Sequence, residues 1–442
     1  MRIPLPARAP FVVLASVALA ACMTAEADPA STPEPSAEAS DEQDLISIGN
    51  LIALARGRVD RSAPDPYNPW AKKKLAVGEE NRLPEEDAEF LRIGELVNRF
   101  QTEAQTETGE PRLQRAFHAK SHACLQGSLT IDNTQLPEDA KVGLFAANRT
   151  YATWARFSNG LGSKQADRKL DVRGFAFKVL GAEGTRVLTN PGDDTATTQD
   201  FLLANLPFAP HTTATTMMAF GEVMSASKQT PTILGKIDGL LGVGKFLTSN
   251  ENVRLVDFLA NHALPQTKAS GSLLSETFFS GAPSALGVED GNPATAKAKG
   301  AMKWKAQAGV LEGGVCKTLS TSPNKDEGFL RDDFKRQLAA HDLCLDLSIQ
   351  RQEDGEKQAI EDVSVLWTTP YVKVAQLVFT ARTLVDGDAD EAACNAFSFQ
   401  PWHTLAAHRP LGNAMRARRI ALPSSAKFRG ASTPEPTAPI AR

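Results

Sequence analysis

The stretches Arg115-Ala-Phe-His118-Ala-Lys120, Ala155-Arg156-Phe157-Ser158-Asn159-Gly160 and Asp171-Val-Arg173-Gly174-Phe175-Ala-Phe177-Lys178 decide how this chain is read. Each sets aromatic residues beside basic or hydroxyl side chains, the pattern of strands that carry polar groups inward. A lone histidine on a strand is more often structural than catalytic. Three such strings in succession turn His118 into a candidate site residue.

Working outward, β-branched and aromatic runs between turn signals predict strands over 124–131, 151–158, 174–180 and 201–206, then over 343–350 and 371–379. Residues 84–100 read as a helix: Pro84 and the acids behind it suit a first turn, and Phe90, Ile93, Val97 and Phe100 recur at helical spacing. Residues 211–262 are helical in character, 263–300 are rich in Gly, Ser, Pro and Ala, and 415–420 form a basic helical stretch. Strands, a helical insert and strands again predict an α+β fold rather than a βαβ repeat. The 442 residues would give about three domains at roughly 150 residues each. The pattern instead predicts one core over 110–429, a helical arm over 44–109 and a disordered tail over 430–442.

The first 21 residues carry Arg2 and Arg8 ahead of an apolar run and read as an export signal. Leu19-Ala20-Ala21-Cys22 has the form of a lipobox, so Cys22 is the expected lipidation site and the membrane is met through that anchor alone. Residues 22–43, with six acids, no base and three prolines after Cys22, are expected to be a disordered tether. The expected location is the periplasmic face of the cell envelope. Net charge is -4 and no Lys/Arg-rich block occurs, which excludes a nucleic-acid footprint; no apolar run reaches the 18 or so residues of a spanning helix.

Besides Cys22 the chain has Cys124, Cys316, Cys344 and Cys394. Without CxxC spacing a zinc site is not expected; in an oxidising compartment three disulfide pairings are open, as are reduced thiols. The string GLLGVGKF at 239–246 approaches a phosphate-binding loop, but Phe246 stands where a hydroxyl must meet magnesium, and it reads as a helix connection.

Taken together, the opening strings resemble the core of haem catalases, whose strands read R-x-x-H-A-K, V-R-F-S and D-x-R-G-F-A-x-K. The likeness continues through Lys303-Trp304, Ile360 to Val374 and the string FQPWHTLAAHRPLG at 399–412, which is similar to small bacterial catalase-related proteins. It covers about residues 110–429. The resemblance implies a catalase-like antiparallel β-barrel core with flanking helices, haem as cofactor and peroxide as substrate. It implies that His118 is the distal acid and base, that Ser158 orients it, and that Arg115, Arg156 and Arg418 hold the cofactor.

Two positions depart from the family pattern. Where catalases carry a distal Asn this chain has Ala196-Thr-Thr-Gln-Asp-Phe201, with Thr197 or Gln199 as the available substitutes. Where the family's iron-binding Tyr follows an Arg by four residues, Arg418 is followed by Leu422. His403 and His408 are the nearest alternative ligands. The sequence therefore supports two readings: a peroxidase or weak catalase acting on hydrogen peroxide or organic peroxides, or a degenerate catalase-fold lipoprotein with a binding role. Oligomeric state is left open.

Overall fold

In a computed structural model, the described residues are 75–187, 197–209, 211–218, 271–320, 326–381 and 394–431, apart from 161, 163, 165, 169 and 170. The leader, the tether, the string at 239–246, nearly all of the helical insert and the tail beyond 431 lie outside them. The barrel belongs to a unit of residues 72–209 and 266–442, one of two into which the chain divides.

Alternation along each strand sets what faces inward. On β1 (Ser121–Ile131), Ala123, Leu125, Leu129 and Ile131 join the core; on β2 (Thr150–Ser158), Ala155 and Phe157 do; on β3 (Gly174–Val179), Phe175 and Phe177. The two-residue β4 (Arg186–Val187) stands apart, and β5 (Gln199–Ala204) continues the sheet. Then come β6 (Thr277–Phe279), β7 (Ser284–Ala285), β8 (Ala301–Glu312), β9 (Val315–Lys317), β10 (Leu343–Arg351) and β11 (Tyr371–Phe379). Antiparallel pairing runs β10-β11-β1-β2-β3-β5-β6-β8, and β8 returns to β10, so eight strands close on themselves. The α+β expectation of an antiparallel barrel with flanking helices holds.

An eight-stranded barrel has an interior just wide enough for side chains to fill. Here phenylalanine fills it: Phe177 stacks on Phe201 with centroids 4.3 Å apart, Phe175 on Phe177 at 5.3 Å, and Phe157 meets Phe175 at 4.7 Å. Phe is suited to this space because, unlike Tyr, it brings no hydroxyl needing a partner. The helix α1 (Glu86–Thr108) outlasts its expected end and stops at Gly109, whose φ of 64° supplies the left-handed cap. The helix α2 (Phe329–Ala340) adds Phe334 and Leu338 to the barrel core, with Phe334 4.9 Å from Phe157.

After the short β12 (Thr404–Leu405), which pairs with β4, α3 (Asn413–Phe428) packs on α1. Asn98 Nδ2 donates to Ser424 Oγ at 3.0 Å. In the first turn of α3, Arg416 meets Glu80 at 2.8 Å, Glu86 at 2.8 Å and Glu361 at 2.9 Å. One guanidinium thus ties the arm, α1 and the loop at 361 to α3. Burial alone would leave these carboxylates costly, and the shared cation offsets that cost.

The cysteines form two disulfides, Cys124–Cys394 and Cys316–Cys344, with Cα separations of 6.0 and 5.7 Å. The first closes a sequence separation of 270 residues; the second clips β9 to β10 across 28.

Candidate functional site

Because Ala155 and Phe157 point into the barrel, Arg156 and Ser158 point out of it, which corrects the inward placement expected from the sequence. The interior is apolar and full, so the basic and hydroxyl groups have only the outer face. They are still buried there, each 3% exposed.

His118 is not on a strand. The chain before β1 bends, and His118 adopts φ 60°, the only left-handed non-glycine among the described residues. This costs of order 1–3 kcal/mol and persists where surroundings over-determine it. Asn159 supplies much of that determination. Its carbonyl lies 2.5 Å from His118 Nδ1, its side-chain oxygen accepts from Lys120 N at 2.9 Å, and its own N–H donates to Lys120 O at 3.0 Å. His118 N donates to Gly160 O at 2.9 Å. Lys120 Nζ is in turn held 2.6 Å from Asp167, whose other oxygen accepts from Leu330 N at the start of α2.

The ring rests on Gly174. A Cβ there would lie 2.3 Å from His118 Nδ1 and 2.7 Å from Ser158 Oγ, so only glycine permits this approach. A carbonyl can only accept, so the Nδ1 contact assigns the proton to Nδ1 and leaves Nε2 as the lone-pair nitrogen. Ser158 Oγ stands 3.3 Å from the same Nδ1. Nε2 has no hydrogen-bond partner among the described residues, and His118 remains half-buried rather than sealed. Desolvation, with Arg156, Arg418 and Arg115 adding their charges, pushes the pKa of His118 down to about 4 against the pull of the Asn159 carbonyl. At neutral pH the imidazole is an uncharged acceptor in a positive field.

The structure brings the expected set together: His118, Ser158 and Arg156 from the barrel's outer face, Arg115 from the segment ahead of it, and Arg418 from α3, all three guanidiniums acting on His118. Arg115 Nη2 donates to the carbonyls of Cys394 (2.8 Å) and Phe397 (2.9 Å), and Arg156 Nη2 to Ala119 O (3.3 Å). Arg418 Nη1 contacts Met415 Sδ at 3.4 Å, and no carboxylate lies within ion-pair distance of it among the described residues. Desolvation lowers its pKa, so this half-buried cation is partly stripped of water and has no described carboxylate beside it. Asn159 and Gly174 are the members of this set that the sequence does not single out, although both lie within the three strings. The signal was their position directly after Ser158 and directly ahead of Phe175.

Among the described residues, which do not include Tyr67, none fits as the axial ligand of an iron-coordinated haem. Leu422 stands in α3 one turn beyond Arg418, is half-buried, and is followed by Pro423 within the helix; neither side chain can bind a metal. Tyr151 stacks under Arg149, and Tyr371 lies over Lys305 and near Phe279. His408 is occupied: Nε2 accepts from Leu144 N at 3.0 Å, and the ring sits 5.0 Å from Phe145. His403 Nδ1 lies 3.7 Å from Asp200, which also pairs with Lys178. Gln199, a proposed stand-in for the distal Asn, accepts from Leu405 N at 3.3 Å through its side chain. A cavity of ≈ 20 Å³ bordered by Trp304, His408 and Met415, whose lining includes neither His118 nor the three arginines, has room for about one water. Among the described residues no cluster of His, Cys, Asp or Glu is built to hold a metal ion, and no helix is long and apolar enough to cross a membrane.

No family model and no curated protein matches the chain. Among solved structures, a bacterial catalase is similar at 15% identity and a TM-score of 0.48, over 83% of this chain. The chain spans 65% of that catalase's length.

Proposed function

We propose that this chain is a catalase-fold protein that binds a small anionic ligand in the cleft between the outer face of the barrel and α3, without turning peroxide over at iron. The observation that carries the reading is the asymmetry of α3: Leu422 and Pro423 replace any ligand atom, while Arg418, one turn earlier, stays desolvated, unpaired by any described carboxylate and within the field of His118. A desolvated guanidinium is costly unless something negative meets it. His118 Nε2, held as an acceptor, adds a partner for a ligand hydroxyl.

Two titrations of the mature chain test this. Haemin is expected to give no saturable Soret shift, and a saturable, ligated spectrum would overturn the reading. Small carboxylates such as acetate and benzoate are expected to bind, with affinity falling about tenfold or more in Arg418→Met, the size of one charge-assisted contact.

The open Nε2 of a neutral His118 also supports a second reading, in which His118 takes the proton of a bound peroxide while an external electron donor such as a phenol supplies the two electrons of its reduction. Peroxide consumption by the mature chain that is lost in His118→Ala would favour it over the first. For location, we propose export with a lipid on Cys22. Its support is the leader string and two disulfides, which suit an oxidising compartment. Fatty-acid labelling that disappears in Cys22→Ala is the expected result.

A further inference from the structure

We propose that the Cys124–Cys394 disulfide is a positioning element of the His118 cleft, fixing the backbone hook at 394–397 on which Arg115 is hung. Cys124 on β1 stands opposite Arg156 on β2, and both side chains lie on the outer face of the barrel. The disulfide therefore leaves the barrel beside a site arginine and carries the chain at 394 to the same place.

The hook has two outputs. The carbonyls of Cys394 and Phe397 take both contacts of Arg115 Nη2, at 2.8 and 2.9 Å. Phe397 O also accepts from Arg429 Nη2 at 2.6 Å, and Asn395 O from Arg429 Nη1 at 2.8 Å, at the C-terminal end of α3. Phe397 packs edge-on against Trp154, at 5.1 Å, in the same apolar cluster as the two cysteines. One covalent link thus stands behind a charge on the barrel side of the cleft and behind the end of the helix that brings Arg418 to the other side. The second disulfide, Cys316–Cys344, serves no such pair: it joins β9 to β10, and neither strand carries a residue named in the site.

The inference rests on the reading of this cleft as the ligand site, so the test uses a signal that needs no ligand. The groups bearing on His118 are Arg115, Arg156 and Arg418 as charges and Asn159 O as the hydrogen-bond acceptor. Asp171, nearby through its contact with Gly160 N, is paired with Arg173. The imidazole titrations of His118 and His408 are followed by NMR in the full mature chain, in Cys124→Ala/Cys394→Ala and in Cys316→Ala/Cys344→Ala. Loss of the first disulfide is expected to raise the His118 pKa by about a quarter of a unit as Arg115 swings away, with His408 unmoved, and to weaken acetate binding about tenfold. Loss of the second is expected to leave both histidines where they are.

An unchanged His118 in a folded first variant overturns the proposal. If that variant does not fold, Cys316→Ala/Cys344→Ala, which keeps only the first disulfide, is titrated with a dithiol, which gives two electrons and two protons to that disulfide and closes into its own. His118 moving alone supports positioning; His118 and His408 moving together means the link holds the fold, and the proposal falls. Should acetate fail to bind the unaltered protein while His118 still shifts, the ligand reading fails and the positioning role stands.

Discussion

His118 and His408 both titrate near 4, both because burial penalises the cation, yet their surroundings differ. His408 is 2% exposed; its Nε2 is consumed by Leu144 N–H, and its ring lies between Phe145 and Trp304. Gly143 lets it in, since a Cβ there would be 2.5 Å from that nitrogen. His118 spends Nδ1 on a carbonyl, keeps Nε2 without a described partner and faces three guanidiniums. The difference separates a histidine that builds the fold from one that waits for something. Neither a depressed pKa nor an unbonded nitrogen alone distinguishes them, since His408 Nδ1 is buried without a hydrogen-bond partner; the partial exposure of His118 and the three guanidiniums around it do.

The largest effect that could break this contrast is on stability. His408→Ala removes an imidazole packed between two aromatic rings and leaves a buried N–H without its acceptor, and is expected to cost about 3–4 kcal/mol in urea unfolding. His118→Ala deletes a half-buried ring and relieves a left-handed backbone of nothing more than its side chain, and is expected to cost under about 1 kcal/mol. Equal losses would mean that His118 too is a structural residue.

How much of this was readable beforehand follows the same division. The barrel strands at 151–158 and 371–379 were legible because apolar and polar residues alternate there against turn signals. β8 was legible only through the likeness at Lys303-Trp304, not through periodicity: AMKWKAQAGVLE mixes lysines into a buried strand, and Lys303 is 2% exposed, lying over Trp367 and donating to Val365 O at 3.1 Å. The periodicity of Phe329, Leu330, Phe334 and Leu338 could have revealed α2 and went unread. In the site, His118, Ser158 and the arginines were legible through their strings. The tertiary facts were not: that the polar groups face outward, that Gly174 is the ring's seat, and which cysteines pair. These depend on segments far apart in the chain, and spacing carries no information about them.

Acid unfolding sharpens the contrast at an intermediate size. Below pH 6.5 the unfolded chain protonates both histidines, while the native state stays neutral until about pH 4. The unfolded state then binds more protons, so stability present at neutral pH is lost as pH falls from 6.5 toward 4. For buried His408 the loss reaches about 3 kcal/mol; for half-exposed His118 it is smaller. His118→Gln is expected to make the acid limb shallower. An anion seated beside Nε2 stabilises the imidazolium, so affinity expressed per ionised acetate is expected to rise as pH falls through this window. A pH-independent affinity would place the anion away from His118.

The smallest effect concerns what holds the His118 tautomer. Asn159 O, at 2.5 Å, and Ser158 Oγ, at 3.3 Å, compete for one Nδ1 proton, and distance favours the carbonyl. A backbone carbonyl cannot be removed by substitution, and it cannot donate, so it alone enforces Nδ1–H. Ser158→Ala is therefore expected to change stability by less than about 0.5 kcal/mol and to leave the imidazole ¹⁵N shifts in the Nδ1–H pattern. A switch to Nε2–H in that variant would transfer the orienting role from Asn159 to Ser158. It would also turn the cleft's open nitrogen from an acceptor into a donor, and with it reverse which ligand hydrogen the site can hold.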